Sequence, residues 1–419
     1  MKTSTRARGM EPFYVMEVAK AASDMAARFA QTDAPMIFLN IGEPDFTAPP
    51  LVVEAAAKAL HDGRTQYTQA TGLPALRERI SDWYRTRFGL QVPAGRIVVT
   101  AGASAALHLA CLALIERGDR ILMPDPSYPC NRQFVGAAEG VAQLIHTTAA
   151  ERFALTADKV AAAWTRPDHP ANLGEALTAR GETLTTRGET LTTRGVLLAS
   201  PSNPTGTSIH PDELRRIHQV VSGHGGITLV DEIYLGLSYD DQYGHTALAL
   251  DDQIISINSF SKYFNMTGWR LGWLVVPEDL VPVIERLAQN LFICPSSIAQ
   301  HAALACFEAD SIAEYERRRA EFKARRDYFV PALNAMGLAV PVMPDGAFYA
   351  WADCTALCQQ WGLTDGWDFS FELMRRAHIA VTPGRDFGRG STHNFVRFST
   401  ASSMAHLQEA VARLQVALA

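Results

Sequence analysis

The chain has 419 residues, of which 47% are hydrophobic and 20% are charged, and its formal charge is −6 at pH 7. A chain of this length is expected to divide into two structural parts, since single cores rarely grow beyond about 250–300 residues. The composition is typical of a globular protein. The negative charge and the scattered Lys and Arg argue against a nucleic-acid or anionic-membrane partner, because binding phosphates needs clustered cations.

The cysteines and the apolar runs exclude several other classes of protein. The six cysteines form no CxxC pair and have no metal-ligand spacing, so we predict reduced thiols and no metal site. The basic start MKTSTRARGM leads into no apolar region, which argues against a secretory signal. The longest apolar run, around AALHLACLALI, is too short to cross a bilayer. A cytoplasmic protein without membrane contact is expected.

Between residues 96 and 276, short apolar runs alternate with helical patterns. The predicted strands are RIVVT, RILMPDP, GVLLASP, ITLVDEIY, QIISINS and RLGWLVVP. Their continuous hydrophobicity is typical of strands buried on both faces, so we predict an α/β fold with three α/β/α layers and a mostly parallel sheet. The last two runs lie too close together for a helical crossover, which predicts an antiparallel exception.

A tandem repeat interrupts this pattern. GEALTAR, GETLTTR and GETLTTR follow one another over residues 174–194. Each unit has one leucine among glycine and threonines, so it lacks the apolar positions of a coiled coil. A partner-binding loop or lid is one interpretation. We favour a duplicated surface insertion, because doubling a loop's length costs about 0.6 kcal/mol.

The C-terminal third has a different pattern. SIAEYERRRAEFKARRDYFVPALNAMG predicts one long charged helix, and GAFYAWAD and NFVRFST predict strands separated by helices. This alternation is typical of a smaller α+β domain. We expect residues 1–46 to belong to that domain as an N-terminal segment, residues 47–300 to form the large ligand-binding domain, and residues 301–419 to complete the small domain.

Several strand ends carry polar residues that suit a ligand. In VTAGASAALHL, the turn Gly102-Ala103-Ser104 opens a helix whose free N–H groups could hold a phosphate. Taken alone, this feature is equally consistent with a plain tight turn, and neither a Walker A loop nor a GxGxxG fingerprint is present. Tyr128, in DPSYP, follows the next strand, where an aromatic ring could stack on a flat ligand or simply line the wall.

Two further strand ends carry hydrogen-bonding groups. Asn203 lies in SPSNPTG, and Asp231 and Tyr234 lie in LVDEIY. Asp231 ends an apolar run, so its carboxylate should be partly buried and should need a cation or an N–H donor. A helix cap would satisfy the same requirement, and that interpretation stays open for Asp231 alone.

Lys262 completes the set. It follows QIISIN in NSFSKYFNMTGWRLGW, where burial would lower the pKa of its ammonium group and free the amine as a nucleophile. Arg270, in the same stretch, is a permanent cation suited to a phosphate. Together these residues describe a flat aromatic ligand with a phosphate, a ring nitrogen that pairs with a carboxylate, and an aldehyde that reacts with an amine. That description fits pyridoxal 5′-phosphate.

The sequence also resembles the fold-type I, class I/II pyridoxal-phosphate aminotransferases. The resemblance runs from LNIGEPDF to FVRFSTA, through SNPTG, DEIY and SFSKYFNMTGWRLGW, and leaves out only the repeat. Two departures are small: the turn reads GAS where many relatives have a second glycine, and the stacking residue is tyrosine in place of tryptophan. Neither departure blocks the expected contacts.

The resemblance assigns a role to individual residues. It implies that Lys262 forms the aldimine and carries the proton, that Asp231 pairs with the pyridine nitrogen, and that Asn203 and Tyr234 bind the 3′-oxygen. Tyr128 would stack on the ring. The remaining implied contacts are the phosphate cup of Gly102, Ala103, Ser104, Ser259 and Arg270, the phosphate contact of Tyr67 from a neighbouring subunit, and the substrate site of Arg397, Gly42, Asn203 and Tyr14.

This assignment implies a homodimer that transfers an amino group from an L-amino acid to a 2-oxo acid by a ping-pong mechanism. The N-terminal GMEPFYVMEV corresponds to the segment that usually covers the pocket, and its Phe13, Tyr14 and Met16 suggest an apolar side-chain site. Packing of this segment on the core alone is an equally good interpretation. A second arginine for a side-chain carboxylate is not evident, so an aspartate preference is unsupported.

Three alternative functions share part of this pattern of residues. A β-lyase acting on C–S bonds would use the same lysine, aspartate and arginine, so the motifs leave it open. A non-catalytic, aminotransferase-like regulator would need an N-terminal DNA-binding module, and the roughly forty residues before IGEPDF have no helix-turn-helix pattern. The SxxK pattern of Ser259–Lys262 also fits serine β-lactamases, but their SDN and KTG partners are missing from the chain.

Overall fold

The computed structural model describes residues 1–12, 14–29, 34–164 and 192–418. Phe13 and residues 174–191 of the predicted insertion lie outside the described residues. Thr193 and Arg194, the last two residues of the third repeat, belong to a strand of the main sheet, where Thr193 pairs with Arg120. The predicted insertion, residues 174–194, therefore overlaps the start of this strand by two residues.

The helices alternate with the strands over most of the chain. The helices are α1 (Thr5–Gly9), α2 (Tyr14–Phe29), α3 (Pro50–His61), α4 (Pro74–Phe88), α5 (Ala103–Leu114), α6 (Pro129–Ala137), α7 (Ala157–Trp164), α8 (Pro211–Gly223), α9 (Val281–Leu291), α10 (Ser297–Ala303), α11 (Ala309–Ala335), α12 (Thr355–Trp361), α13 (Gly366–Ala377) and α14 (Met404–Leu418). Several begin with proline. Proline suits the first turn because it lacks a backbone N–H, and an N–H at this position would have no partner within the helix. In the described part of the chain, no helix is both long and apolar enough to cross a membrane.

The strands form three sheets. They are β1 (Ile37–Phe38), β2 (Ile97–Thr100), β3 (Arg120–Asp125), β4 (Val141–His146), β5 (Thr193–Ala199), β6 (Ile227–Asp231), β7 (Ile255–Ser259), β8 (Gly272–Val275), β9 (Tyr349–Asp353), β10 (Ile379–Ala380), β11 (Thr382–Pro383) and β12 (Phe395–Ser399). The main sheet has seven strands in the order β2-β8-β7-β6-β5-β3-β4. The other two sheets are β11-β12-β9 and β1-β10.

The main sheet is parallel except at β8. This strand runs antiparallel to both of its neighbours, β2 and β7, while the other strand pairs are parallel. Two antiparallel strands can be joined by a short link, whereas parallel strands need a long crossover. The predicted antiparallel exception is therefore confirmed.

Both faces of the main sheet are covered, as the continuous apolar runs predicted. Successive side chains of a strand point to opposite faces. Accordingly, Ile121 and Leu197 pack into one core with α5 and α9, whereas Leu122 and Val196 pack into another with α7 and α8. Helix–sheet–helix layering follows, and the predicted α/β fold with a mostly parallel sheet is confirmed.

The N-terminal segment is joined to the C-terminal part of the chain. β1 pairs in parallel with β10, and Ile37 and Leu39 share a core with residues of α11, α13 and α14. The predicted long charged helix is α11, with 27 residues. We propose that residues 1–46 and 301–419 form the smaller domain, because these contacts join the two chain ends.

Two buried arginines of α11 hold residues 45–47, which follow the part of the chain that lies at the sheet edge. Arg325 donates to both carboxylate oxygens of Asp45, at 2.8 and 3.0 Å, and Arg318 donates to the carbonyl of Thr47 at 2.6 Å. Both guanidinium groups also stack on the ring of Phe46, at 5.0 and 4.9 Å from its centroid. The backbone just before Asp45 is therefore fixed beside the carboxyl ends of the strands.

Leu274 tests how much the sheet core contributes to stability. It lies fully buried in β8, so Leu274→Ala should lower the free energy of unfolding by about 2–5 kcal/mol through lost burial and a cavity. Urea unfolding of the cofactor-free protein, followed by fluorescence, measures this change. Val416, 82% exposed, is the control, because Val416→Ala should stay within about 0.5 kcal/mol. Equal effects of the two substitutions would contradict the assignment of this core.

Candidate active site

The carboxyl ends of the parallel strands open into one cavity of about 420 Å³. An open α/β sheet places its ligand site at this edge. The predicted residues that line the cavity are Gly42, Ala103, Ser104, Tyr128, Asn203, Asp231, Tyr234, Ser259, Lys262, Arg270 and Arg397. The structure therefore gathers residues from most of the chain length around one space.

Lys262 follows the end of β7, where its half-buried side chain enters the cavity. The Nζ atom donates a hydrogen bond to the carbonyl of Gly42 at 2.6 Å. Burial lowers the pKa of this amine to about 8; the carboxylate of Glu43 opposes the shift and the nearby cation of Arg397 adds to it. A substantial fraction of the amine is thus neutral near physiological pH, which a nucleophile or a proton acceptor needs.

Asp231 ends β6 and is 5% exposed. One of its oxygens accepts the backbone N–H of Ile233 at 3.1 Å. Burial raises the pKa of this carboxyl to about 6, and the N–H of Ile233 and the charge of Lys262 act in the opposite direction. A buried carboxylate with a raised pKa favours a cationic partner. A protonated ring nitrogen in the cavity would be such a partner.

Arg397 lies in β12 and is 4% exposed. It donates to Asn203 Oδ1 at 2.9 Å, to the carbonyl of Asn40 at 2.8 Å and to Thr382 Oγ1 at 3.2 Å. Its guanidinium also stacks on the ring of Tyr349, 4.5 Å from the centroid. All three acceptors are neutral, so the positioned guanidinium can still bind an anionic group such as a carboxylate.

Another group of lining residues suits a phosphate. Gly102 precedes α5 with φ of 87°, and a Cβ at this position would lie 2.6 Å from Nη2 of Arg270. Glycine is therefore required for the close approach between this turn and the guanidinium. Ala103 and Ser104, in the first turn of the 12-residue helix α5, line the cavity together with Ser259, Ser261 and Arg270, and the first N–H groups of a helix favour an anion.

Three tyrosines also line the cavity. Tyr128 follows β3 and lines the cavity, and burial raises the pKa of its hydroxyl group. The hydroxyl groups of Tyr234 and Tyr349 are 2.6 Å apart. Burial also raises the pKa of Tyr234 well above its usual value. Both residues therefore act as neutral hydrogen-bonding groups.

Three predicted site residues do not line the cavity. Tyr67 is 83% exposed, Gly102 lies behind the guanidinium of Arg270, and Tyr14 packs edge-on against Trp367, with 5.7 Å between ring centroids. Val15 lines the cavity in place of Tyr14. Consecutive side chains on a helix point about 100° apart, which is consistent with Val15 facing the space while Tyr14 contacts Trp367.

Sequence reasoning missed several lining residues. They are Val15, Ile41, Glu43, Leu107, Ala199, Pro201, Ile233, Ser261, Thr267, Gly268 and Tyr349. Tyr349 begins a strand that was predicted from GAFYAWAD, but its contacts with Gly42, Tyr234 and Arg397 join four distant parts of the sequence. The sequence pattern contains no feature that would have indicated these contacts. Ser261 lies inside the predicted lysine stretch and could have been included.

Metal binding is not indicated by the described residues, among which no cluster of three or more His, Cys, Asp or Glu could hold an ion. The donors in the cavity instead fit pyridoxal phosphate. An amine with a lowered pKa faces the space, a buried carboxylate awaits a cation, and a helix start lies beside an arginine. These features match the aldehyde, the ring nitrogen and the phosphate of that cofactor.

A family model described as aminotransferase class I and II matches residues 34–414. Among curated proteins, valine–pyruvate aminotransferase from Mycobacterium tuberculosis is 34% identical over 97% of this chain and 96% of its own length. An aspartate aminotransferase from Rhizobium meliloti is 32% identical over 96% of this chain and 93% of its own length. Both similarities cover nearly the whole chain.

Solved structures give the same result. The crystal structure of an aminotransferase from Mycobacterium tuberculosis has a TM-score of 0.87 at 33% identity, over 99% of this chain and 98% of that one. Aspartate aminotransferase from Thermus thermophilus with maleate has a TM-score of 0.85 at 28% identity over the full length of both chains. The chain therefore belongs to the class I and II aminotransferases, the family of pyridoxal-phosphate-dependent transaminases.

Proposed function

We propose that this protein moves an amino group from an L-amino acid to a 2-oxo acid in two half-reactions at the Lys262 cavity. The observation that carries the proposal is the arrangement of three groups around one space: the amine of Lys262, the buried carboxylate of Asp231 and the guanidinium of Arg397. The lowered pKa of Lys262 and the raised pKa of Asp231 support it.

Residues of the cavity would bind the aldehyde, the ring and the phosphate of pyridoxal phosphate. Lys262 would bind it covalently, Asp231 would pair with its ring nitrogen, and Tyr128 would stack on the ring. The hydroxyl of Tyr234 and the amide of Asn203 would bind the 3′-oxygen. Its phosphate would lie in the cup formed by Gly102, Ala103, Ser104, Ser259 and Arg270. When bound, the cofactor supplies an electron-withdrawing ring that accepts density from the substrate Cα.

Arg397 would bind the α-carboxylate of the substrate. Its hydrogen bonds to Asn203, Asn40 and Thr382, and its stacking on Tyr349, leave the guanidinium little freedom to turn. Gly42, which lines the cavity, would lie beside that carboxylate. Glycine is needed at this position because a Cβ there would collide with the hydroxyl of Tyr349. A fixed guanidinium orients the substrate before any bond is broken.

Lys262 would then move the proton of the substrate Cα. The carbonyl of Gly42 accepts a hydrogen bond from Nζ, which holds the amine at the cavity wall once it is free. A pKa of about 8 lets the amine take up a proton and release it again near neutral pH. Asp231, one strand away, supplies the negative charge that balances a protonated ring.

We also propose that the protein works as a homodimer with active sites at the subunit interface. Tyr67 is 83% exposed in the single chain. The carbonyl of Gln66, the residue before it, accepts a hydrogen bond from the hydroxyl of Ser297 at 2.5 Å. The backbone beside Tyr67 is thus held in place, and Tyr67 does not line the chain's own cavity. Reaching the phosphate cup of a second subunit would give this exposed ring a partner.

The half-reactions can be followed by the absorbance of the bound cofactor. Adding an amino-acid donor should change the spectrum, and a 2-oxo acid should restore it. Lys262→Ala should slow turnover by at least about 100-fold, since positioned acid–base groups contribute about 10²–10⁴-fold. Lys323→Ala is the matched control, because Lys323 is an exposed residue of α11 that pairs with Asp327. Full turnover by the Lys262 variant would overturn the proposal.

A second prediction concerns the titration of Lys262 in cofactor-free protein. Acylation of its amine should accelerate as the pH rises through about 8, because burial disfavours the charged form and the neutral amine is the nucleophile. Brief labelling at a series of pH values, followed by peptide mass spectrometry, measures the midpoint. In urea-unfolded protein the same peptide should titrate near about 10.4. Identical midpoints in the folded and unfolded protein would contradict the burial argument.

A further inference from the structure

The first turn of α2 is fixed by a buried carboxylate from a distant part of the chain. Asp386 is 1% exposed, and its two oxygens accept the backbone N–H groups of Tyr14 at 2.9 Å and Val15 at 2.6 Å. The first N–H groups of a helix have no partner within the helix, and its N-terminus favours negative charge. Asp386 therefore satisfies both requirements at the start of this 16-residue helix.

Additional contacts hold Asp386 itself and Glu11, which lies just before α2. Arg132 donates to the carbonyl of Asp386 at 3.1 Å and to the carboxylate of Glu11 at 3.3 Å, and Arg389 donates to the other oxygen of Glu11. The ring of Tyr14 packs against Trp367. With these contacts in place, Val15 lies on the cavity wall.

Val15 and Ile41 contribute apolar side chains to the cavity lining. Among the described lining residues, the cations are Lys262, Arg270 and Arg397. Each of these three already has a role toward the cofactor or the α-carboxylate. An acidic substrate side chain would therefore enter without a partner, and an uncompensated buried charge is costly.

We propose that Asp386 is a positioning residue that fixes Val15 as the side-chain wall of the substrate site, so that the enzyme takes amino donors with apolar side chains of limited bulk. This inference rests on the proposed function. Asp386 acts through the backbone of Tyr14 and Val15, and Val15 sets the space. Aspartate and glutamate should accordingly be poorer donors than alanine by about 100-fold in kcat/KM.

The hydrogen bonds of Asp386 can be tested without any turnover. In Asp386→Asn, the amide nitrogen would face one N–H of α2 as a second donor, so one hydrogen bond is lost. Amide hydrogen exchange, measured by mass spectrometry on peptides that cover Tyr14 and Val15, should accelerate by about 10-fold or more in this variant. Unchanged exchange would overturn the positioning role.

Asp353→Asn is the matched control. Asp353 accepts the N–H of Thr355 at 2.8 Å at the start of α12, and it does not line the cavity. This variant should leave exchange at Tyr14 and Val15 unchanged and should keep the wild-type preference among donors. Acceleration of similar size in both variants would mean general loosening of the fold, and it would overturn a specific role for Asp386.

The preference among donors supplies the second test. Val15→Ala should raise kcat/KM for phenylalanine relative to alanine by about 10-fold, because removing methyl groups from a pocket wall makes room for a larger side chain. Asp386→Asn should shift the same ratio in the same direction, mainly through KM. Normal wild-type turnover with an unchanged ratio in both variants would overturn this inference alone. An absence of turnover by the wild-type protein with every donor would overturn the proposed function instead.

Discussion

The burial of one amine at the end of β7 is the constraint on which the site depends. Taking a lysine out of water is costly, and here the carbonyl of Gly42 supplies a hydrogen bond to Lys262 at 2.6 Å. The carboxylates of Glu43 and Asp231 partly offset the loss of hydration. The lowered pKa of the amine indicates that part of this cost remains. This remaining cost makes Lys262 reactive, so the same feature that strains the fold provides the chemistry.

Sheet topology brings the other groups to that amine. Parallel strands direct their carboxyl ends to one edge, which places Asp231 beside Lys262. The antiparallel strand β8 begins at this same edge, so that Arg270, just before it, meets the turn at Gly102. The chain ends then close the cavity: the carbonyl of Asn40 and the amide of Asn203 both accept hydrogen bonds from Arg397. The cavity thus unites segments from both ends and the middle of the chain.

Much of this arrangement could be predicted from the sequence. Apolar runs predicted the strands, and polar residues at their ends predicted Asp231 and Lys262, because a strand end fixes where its next residues point. The short spacing between two runs also predicted the antiparallel strand. The predictions of the strands and of the antiparallel exception succeeded because each depends on a few neighbouring residues, and Asp231 and Lys262 both line the cavity.

Other features depend on contacts between distant segments, and no local pattern reports them. Whether Tyr14 or Val15 faces the cavity depends on the rotation of α2, which Asp386 fixes from more than 370 positions away. Tyr349 enters the site through contacts with Tyr234 and Arg397. Tyr67 is exposed and does not line the cavity of its own chain, so the single chain does not show what its ring contacts.

Reductive trapping of the bound cofactor tests the central claim most directly. Purified protein loaded with pyridoxal phosphate would be reduced with sodium borohydride, digested, and mapped by peptide mass spectrometry. The account predicts that the mass of the reduced cofactor is found on the peptide that contains Lys262. Attachment to a different lysine, with Lys262 unmodified, would contradict it.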